Sequence, residues 1–141
     1  MNATLLYRIA AVVFVLFAIG HTFGFLRFSP ATADALAVKQ AMVNVRFQIG
    51  GGSFSYGGFY RGFGLYVSVY LLFAAFLSWH LGTLARTHPD AIGALGWMFL
   101  LVQVAGVALS WMYFGKPPLL LSVIVAVCVG WAAWLVPATK M

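Results

Sequence analysis

Tyrosines aside, the residues that can move a proton, ligate a metal or hold a charge in this chain are few. They are His21, His80 and His88, the carboxylates Asp34 and Asp90, Cys128, and eight lysines and arginines. His21 stands in "GHTFG" (20–24) and is the only ionisable group between Ile9 and Leu26. An ionisable side chain inside an apolar run is a candidate for function, because lipid offers it no water. His80 lies near the far end of the second apolar run. On antiparallel helices His21 and His80 fall at opposite ends, about 20 Å apart from the rise per residue, so one protomer cannot use both on a single haem or metal ion. His80 and His88 can approach each other, but two histidines with Asp90 as the one nearby carboxylate make a poor metal site. A single cysteine allows neither an internal disulfide nor a thiolate cluster. No cofactor and no metal are therefore expected. Acid–base catalysis is equally short of parts, since neither aspartate lies within a span and no Ser-His-Asp spacing is visible.

A second constellation surrounds His21. Arg27, Arg46 and Arg61 fall near the same membrane face, with Tyr60, Tyr56 and Gln48 close in sequence. Guanidiniums without acidic neighbours are completed by phosphate or carboxylate from outside the chain. His21, Arg27, Arg46, Tyr60 and Arg61 are thus the expected ligand-binding set, for an anionic lipid or amphiphile. Contact with headgroups in general accounts for the same arginines.

The elements that must position these groups follow from composition. Of 141 residues, 64% are hydrophobic and 7% are charged, and the mean hydropathy is +1.01. A soluble domain of this length could not cover such a surface. Four stretches, about 6–27, 60–84, 92–114 and 118–137, reach the ~20 residues needed to cross a bilayer. The first is longer than the apolar region of a usual signal peptide and is read as a retained span. The expected fold class is all-α: one polytopic membrane domain of four transmembrane helices, with an amphipathic helix between spans one and two. That helix is read from "SPATADALAVKQAMVNVRFQIG" (29–50). Ser29-Pro30 are its cap and first turn, and Ala35, Val38, Met42, Val45 and Ile49 recur at helical period. "GGGSFSYGG" (50–58) ends it with tight turns. Pro89 and Pro117-Pro118 mark the other connections.

With four spans, both termini and the second connection share one face (side A), and the first and third connections share the other (side B). Trp79, Trp97, Trp131 and Trp134 then gather toward side A. Tyr56, Tyr60, Trp111 and Tyr113 gather toward side B, making two interfacial belts. The excess of lysine and arginine on side B would place it in the cytoplasm by the positive-inside rule, a bias that shrinks to nothing if side-B arginines serve a binding site.

Within the spans, Gly20/Gly24, Gly58/Gly62, Gly64/Ser68, Gly106/Ser110 and Ala126/Gly130 carry the spacing of close helix contacts, and Gln103 suits an interhelical hydrogen bond. Gly20, Gly24, Gly62, Gly64, Ser68, Gln103, Gly106 and Ser110 are the expected packing residues. A single bundle can absorb them all. A surplus face would serve a homo-oligomer or a larger membrane complex. With no Asp, Glu, Lys or Arg at mid-membrane depth, pumping and ion conduction are disfavoured. Scattered single cations argue against nucleic acid.

"GHTFGF", "FYRGFGLYVSVYLLFAAFLSWHLG" (59–82) and "ALSWMYFGKPP" (108–118) resemble a family of small, uncharacterised four-helix bacterial membrane proteins. The resemblance covers nearly the whole chain and implies a four-helix fold in the bacterial inner (cytoplasmic) membrane, with no activity attached. Three functions stay open: a non-catalytic protein binding an anionic amphiphile, an accessory or scaffold subunit, and a lipid-modifying enzyme using His21.

Overall fold

The computed structural model describes residues 2–136. Five α-helices and one β-hairpin follow in the order α1 (Ala3–Arg27), α2 (Ala33–Asn44), β1 (Arg46–Ile49), β2 (Gly52–Ser55), α3 (Tyr56–Thr87), α4 (Leu95–Tyr113) and α5 (Lys116–Leu135). The all-α class and the four apolar helices long enough to cross a membrane agree with the sequence reading. Their ends differ by a few residues. Helix α3 starts at Tyr56 because the Ser55 hydroxyl accepts the Gly58 amide at 3.0 Å, a cap on its first turn. Helix α4 starts only at Leu95, after a 3₁₀ turn at Pro89–Ala91 and a left-handed Gly93 (φ 45°). Helix α5 carries its prolines in the first turn, where a missing amide costs nothing. The last expected position of span four, 137, lies outside the described residues.

The helix after span one is shorter than its periodicity suggests, and none of its residues is buried, so the structure shows no apolar face buried against the rest of the chain. Its cap is Thr32 rather than Ser29, with the hydroxyl accepting the Ala35 amide at 3.3 Å, and it ends at Asn44. Val45 is already extended, and the residues after it form an antiparallel pair with Arg46 opposite Ser55 and Phe47 opposite Phe54. Gly50 (φ 55°) and Gly51 (φ 80°) supply the two left-handed residues of the turn, a conformation that glycine adopts without penalty. Val45, Phe47 and Ile49 thus alternate along an extended chain, where the helical period places Val45 and Ile49 on one helix face.

The described residues fall into two compact units, Ile19–Tyr70 and the segments on either side of it. In the latter unit the start of α1, the end of α3, α4 and α5 share a core of Leu6, Tyr7, Phe14, Leu81, Ile92, Val125 and Val129, each at most 2% exposed. Ser78 donates to the Tyr7 carbonyl at 2.8 Å, joining α3 to α1. Phe14 meets Phe99 of α4, with ring centroids 5.9 Å apart. Gly82 lets α1 come close: a Cβ there would stand 3.2 Å from the Thr4 carbonyl oxygen and 3.3 Å from Tyr7 Cβ. Outward positions such as Leu16, Phe73, Leu101 and Val127 are more than half exposed, as surfaces facing lipid are.

Tyr7 is fully buried, yet its hydroxyl has no hydrogen-bond partner among the described residues. Burying such a group costs about 1–3 kcal/mol. Tyr7→Phe is therefore expected to raise stability by about 1 kcal/mol or more, read from thermal unfolding of detergent-purified protein. A fall of the same size would mean that the hydroxyl has a bound partner.

Candidate functional site

The side-B candidates all belong to the Ile19–Tyr70 unit, where the last turns of α1, helix α2, the hairpin and the first turns of α3 come together. His21 is half-buried and reaches across to α3, with Nε2 3.0 Å from the Gly64 carbonyl oxygen. A carbonyl can only accept, so Nε2 carries the proton and donates. Ser68 donates to the same oxygen at 3.4 Å, and its hydroxyl bonds to that of Thr22 at 2.8 Å. One carbonyl of α3 thus takes two side-chain donors, and α1 is tied to it by His21 directly and by Thr22 through Ser68.

Phe25, one turn beyond His21, completes the junction. Its ring stacks on the imidazole (5.8 Å, 7° between planes) and meets Tyr60 at 5.3 Å. The ring lies directly over Gly64, where a Cβ would collide with its edge. Gly64 therefore has two roles: it leaves room for Phe25 and offers its carbonyl to His21. Gly20, Gly24 and Gly62 differ, because nothing lies within 4 Å of where their side chains would begin. The glycines that frame His21 in sequence face away from the contact, and the glycine that makes it possible is on the other helix.

The arginines are not alike. Arg46 closes the hairpin, donating from Nε to the Ser53 hydroxyl at 2.9 Å and from Nη2 to the Ser53 carbonyl at 2.7 Å. Arg27 is exposed, with its guanidinium 5.3 Å from the centre of the Phe23 ring one turn back. Arg61 is exposed on the first turns of α3, with no hydrogen bond, ion pair or ring contact among the described residues. No such contact links His21 to Arg27, Arg46 or Arg61 either. The expected set thus separates into an interhelical junction (His21, with Tyr60 reached through Phe25), a hairpin clasp (Arg46) and two exposed cations (Arg27, Arg61).

Below the hairpin an aromatic cluster anchors the unit. Phe47 meets Tyr56 at 4.9 Å and Phe59 at 5.7 Å, and Phe59 meets Phe63 at 4.8 Å. Lys39 donates to the Phe28 carbonyl at 2.7 Å and so fastens α2 to the exit of α1. Gly57 lets the end of α2 pack on the start of α3, with the Met42 carbonyl oxygen 3.2 Å from a Cβ placed there.

Of the remaining packing candidates, Ser110 bonds to Ser122 across α4 and α5 at 3.1 Å, and the buried Gln103 donates to Phe99 of its own helix at 3.2 Å. Gly106 faces open space. Sequence reasoning missed Thr22, Phe25 and Ser53. Thr22 and Phe25 adjoin His21 at i+1 and i+4, but Ser53 becomes a partner of Arg46 only through the hairpin register.

Comparisons with protein families, with curated proteins and with solved structures return no match. The functional reading rests on this chain's own residues.

Phe25 and Gly64 are expected to be energetically coupled. Gly64→Ala should cost about 1–3 kcal/mol through overpacking, and much less in a Phe25→Ala background. Thermal unfolding of the two single variants and the double variant measures the coupling. Additive effects would show that the ring does not rest on Gly64.

Proposed function

We propose that the protein is a non-catalytic integral membrane protein of the bacterial inner membrane that binds anionic lipids or amphiphiles through Arg27 and Arg61. The observation that carries this reading is the state of these two cations. Both are exposed at helix ends beside the membrane-crossing segments, and no ion pair occupies either among the described residues. Near an anionic surface each such cation contributes about 1 kcal/mol, and an arginine fork matches a phosphate with two hydrogen bonds. Lys39 and Arg46 add positive charge to the same unit, against Asp34 alone.

His21 is a structural residue in this reading. Its Nε2 proton is held by the Gly64 carbonyl, which disfavours the alternative of a lipid-modifying enzyme built on the imidazole. The other alternative, an accessory or scaffold subunit, draws on the open faces of Gly20, Gly24 and Gly62, which allow close approach of a further helix. Under it, replacing Gly20 and Gly24 by leucine would dissolve an assembly seen in mild detergent. Under the lipid-binding reading the protein's assembly state is unaffected.

Arg27→Gln with Arg61→Gln is expected to reduce retention of phosphatidylglycerol several-fold in native mass spectrometry, with phosphatidylcholine unchanged. Arg46→Ala, whose guanidinium is already engaged, is expected to change retention little. Equal retention by wild type and the double variant would overturn the proposal.

A further inference from the structure

A different cation is placed more tightly than either Arg27 or Arg61. Arg8 is the sixth residue of α1, about 7–8 Å along the helix from its start at 1.5 Å per residue. Its guanidinium carbon lies 5.1 Å from the centre of the Trp79 ring on α3. Trp79 is 52% exposed, as an indole at headgroup level is. Beneath the guanidinium the helices are in near contact, since a Cβ on Gly82 would stand 3.4 Å from Arg8 Cγ. The stem of Arg8 is therefore set against the α3 backbone while its head rests on the indole.

The head is incompletely satisfied. Nε is buried and has no hydrogen-bond partner among the described residues. No ion pair joins Arg8 to Asp90, the one described carboxylate of its unit. The other charged group at the end of α3, Arg86, has the same sign. A guanidinium partly withdrawn from water, held by a cation–π contact and lacking an anion among the described residues is preorganised for an external one. The planar fork favours a tetrahedral oxyanion that accepts two hydrogen bonds, and the adjoining membrane-crossing helices put phosphodiester headgroups within its reach.

We infer that Arg8 and Trp79 form a binding site for a phosphate-bearing anion, separate from Arg27 and Arg61. A lipid phosphodiester and free inorganic phosphate share the required chemistry. The site stands or falls independently of the side-B proposal, so it is tested in full-length protein already carrying Arg27→Gln and Arg61→Gln. That protein, purified in a neutral detergent, is titrated in one arm with short-chain phosphatidylglycerol and in another with inorganic phosphate. Tryptophan fluorescence and native mass spectrometry report binding, and thermal unfolding confirms the fold.

Saturable phosphatidylglycerol binding is expected, weakened by about ten- to a hundredfold in Arg8→Gln, the range for a charge-assisted hydrogen bond. Trp79→Phe is expected to weaken it by about two- to fivefold, as the cation–π contact loses its indole. Saturation by inorganic phosphate, lost in the same variants, would support the site and assign it to the free anion. Should Arg8→Gln fail to fold, Arg8→Lys and Trp79→Phe carry the test, and wild-type affinity in both overturns the inference. Binding in neither arm, or undiminished affinity in a folded Arg8→Gln protein, overturns it as well.

Discussion

Hydrocarbon supplies no hydrogen bonds, so a polar group on a membrane helix must find its partner within the protein. The contact from His21 Nε2 to the Gly64 carbonyl is the sharpest answer to that constraint in this chain. It uses an acceptor already engaged in α3, and it depends on the absence of a side chain at Gly64, over which the Phe25 ring lies. Thr22 and Ser68 extend the junction, and Ser78 with the Tyr7 carbonyl and Ser110 with Ser122 repeat the principle elsewhere. Such bonds are individually modest, about 0.6 kcal/mol on average in membrane proteins. Their weight lies in specificity, because each fixes the rotation of one helix against another.

The same constraint makes the exceptions informative. Among the described residues the Tyr7 hydroxyl and Arg8 Nε are buried without partners. Tyr7 is sealed in the core, where the missing bond is a cost to stability. Arg8 rests on an exposed indole, and the terminal nitrogens of its guanidinium, unlike Nε, are not among the buried unpartnered atoms. The charge balance points the same way. Eight lysines and arginines face two aspartates in the sequence, so the anions that neutralise the excess must come from the surroundings. With the His21 imidazole committed to helix packing and Arg27 and Arg61 exposed, the proposed role is to hold anionic headgroups, not to change them.

Much of the architecture was legible in the sequence because length and hydropathy decide whether a helix can cross a bilayer. The four spans follow from that, the connections from their prolines, and the helix after span one from its helical period. The hairpin did not, since Val45 and Ile49 satisfy a helical period and an alternating one equally well. The choice was made by Gly50-Gly51, which can take the left-handed turn, and by Phe47 finding Phe54, Tyr56 and Phe59. The role of Arg46 was hidden for the same reason, because Ser53 is its neighbour only in the hairpin. Spacing alone also misdirected attention to Gly20 and Gly24. A pair of glycines four apart marks one face of a helix, but the sequence does not say whether a neighbour lies on it. Here the neighbour lies on the face of His21 and Phe25.

The most direct test of this account is the protonation pattern of the His21 ring. With His80 and His88 replaced by glutamine, nitrogen-15 NMR of the remaining labelled histidine in lipid bilayers at mildly alkaline pH distinguishes the two neutral tautomers. The account predicts that Nε2 carries the proton, with a shift displaced by hydrogen bonding that reverts toward the free value when Gly64 and Phe25 are disrupted. A ring protonated at Nδ1, with Nε2 bare, would contradict it, because an unprotonated Nε2 cannot bond to a carbonyl.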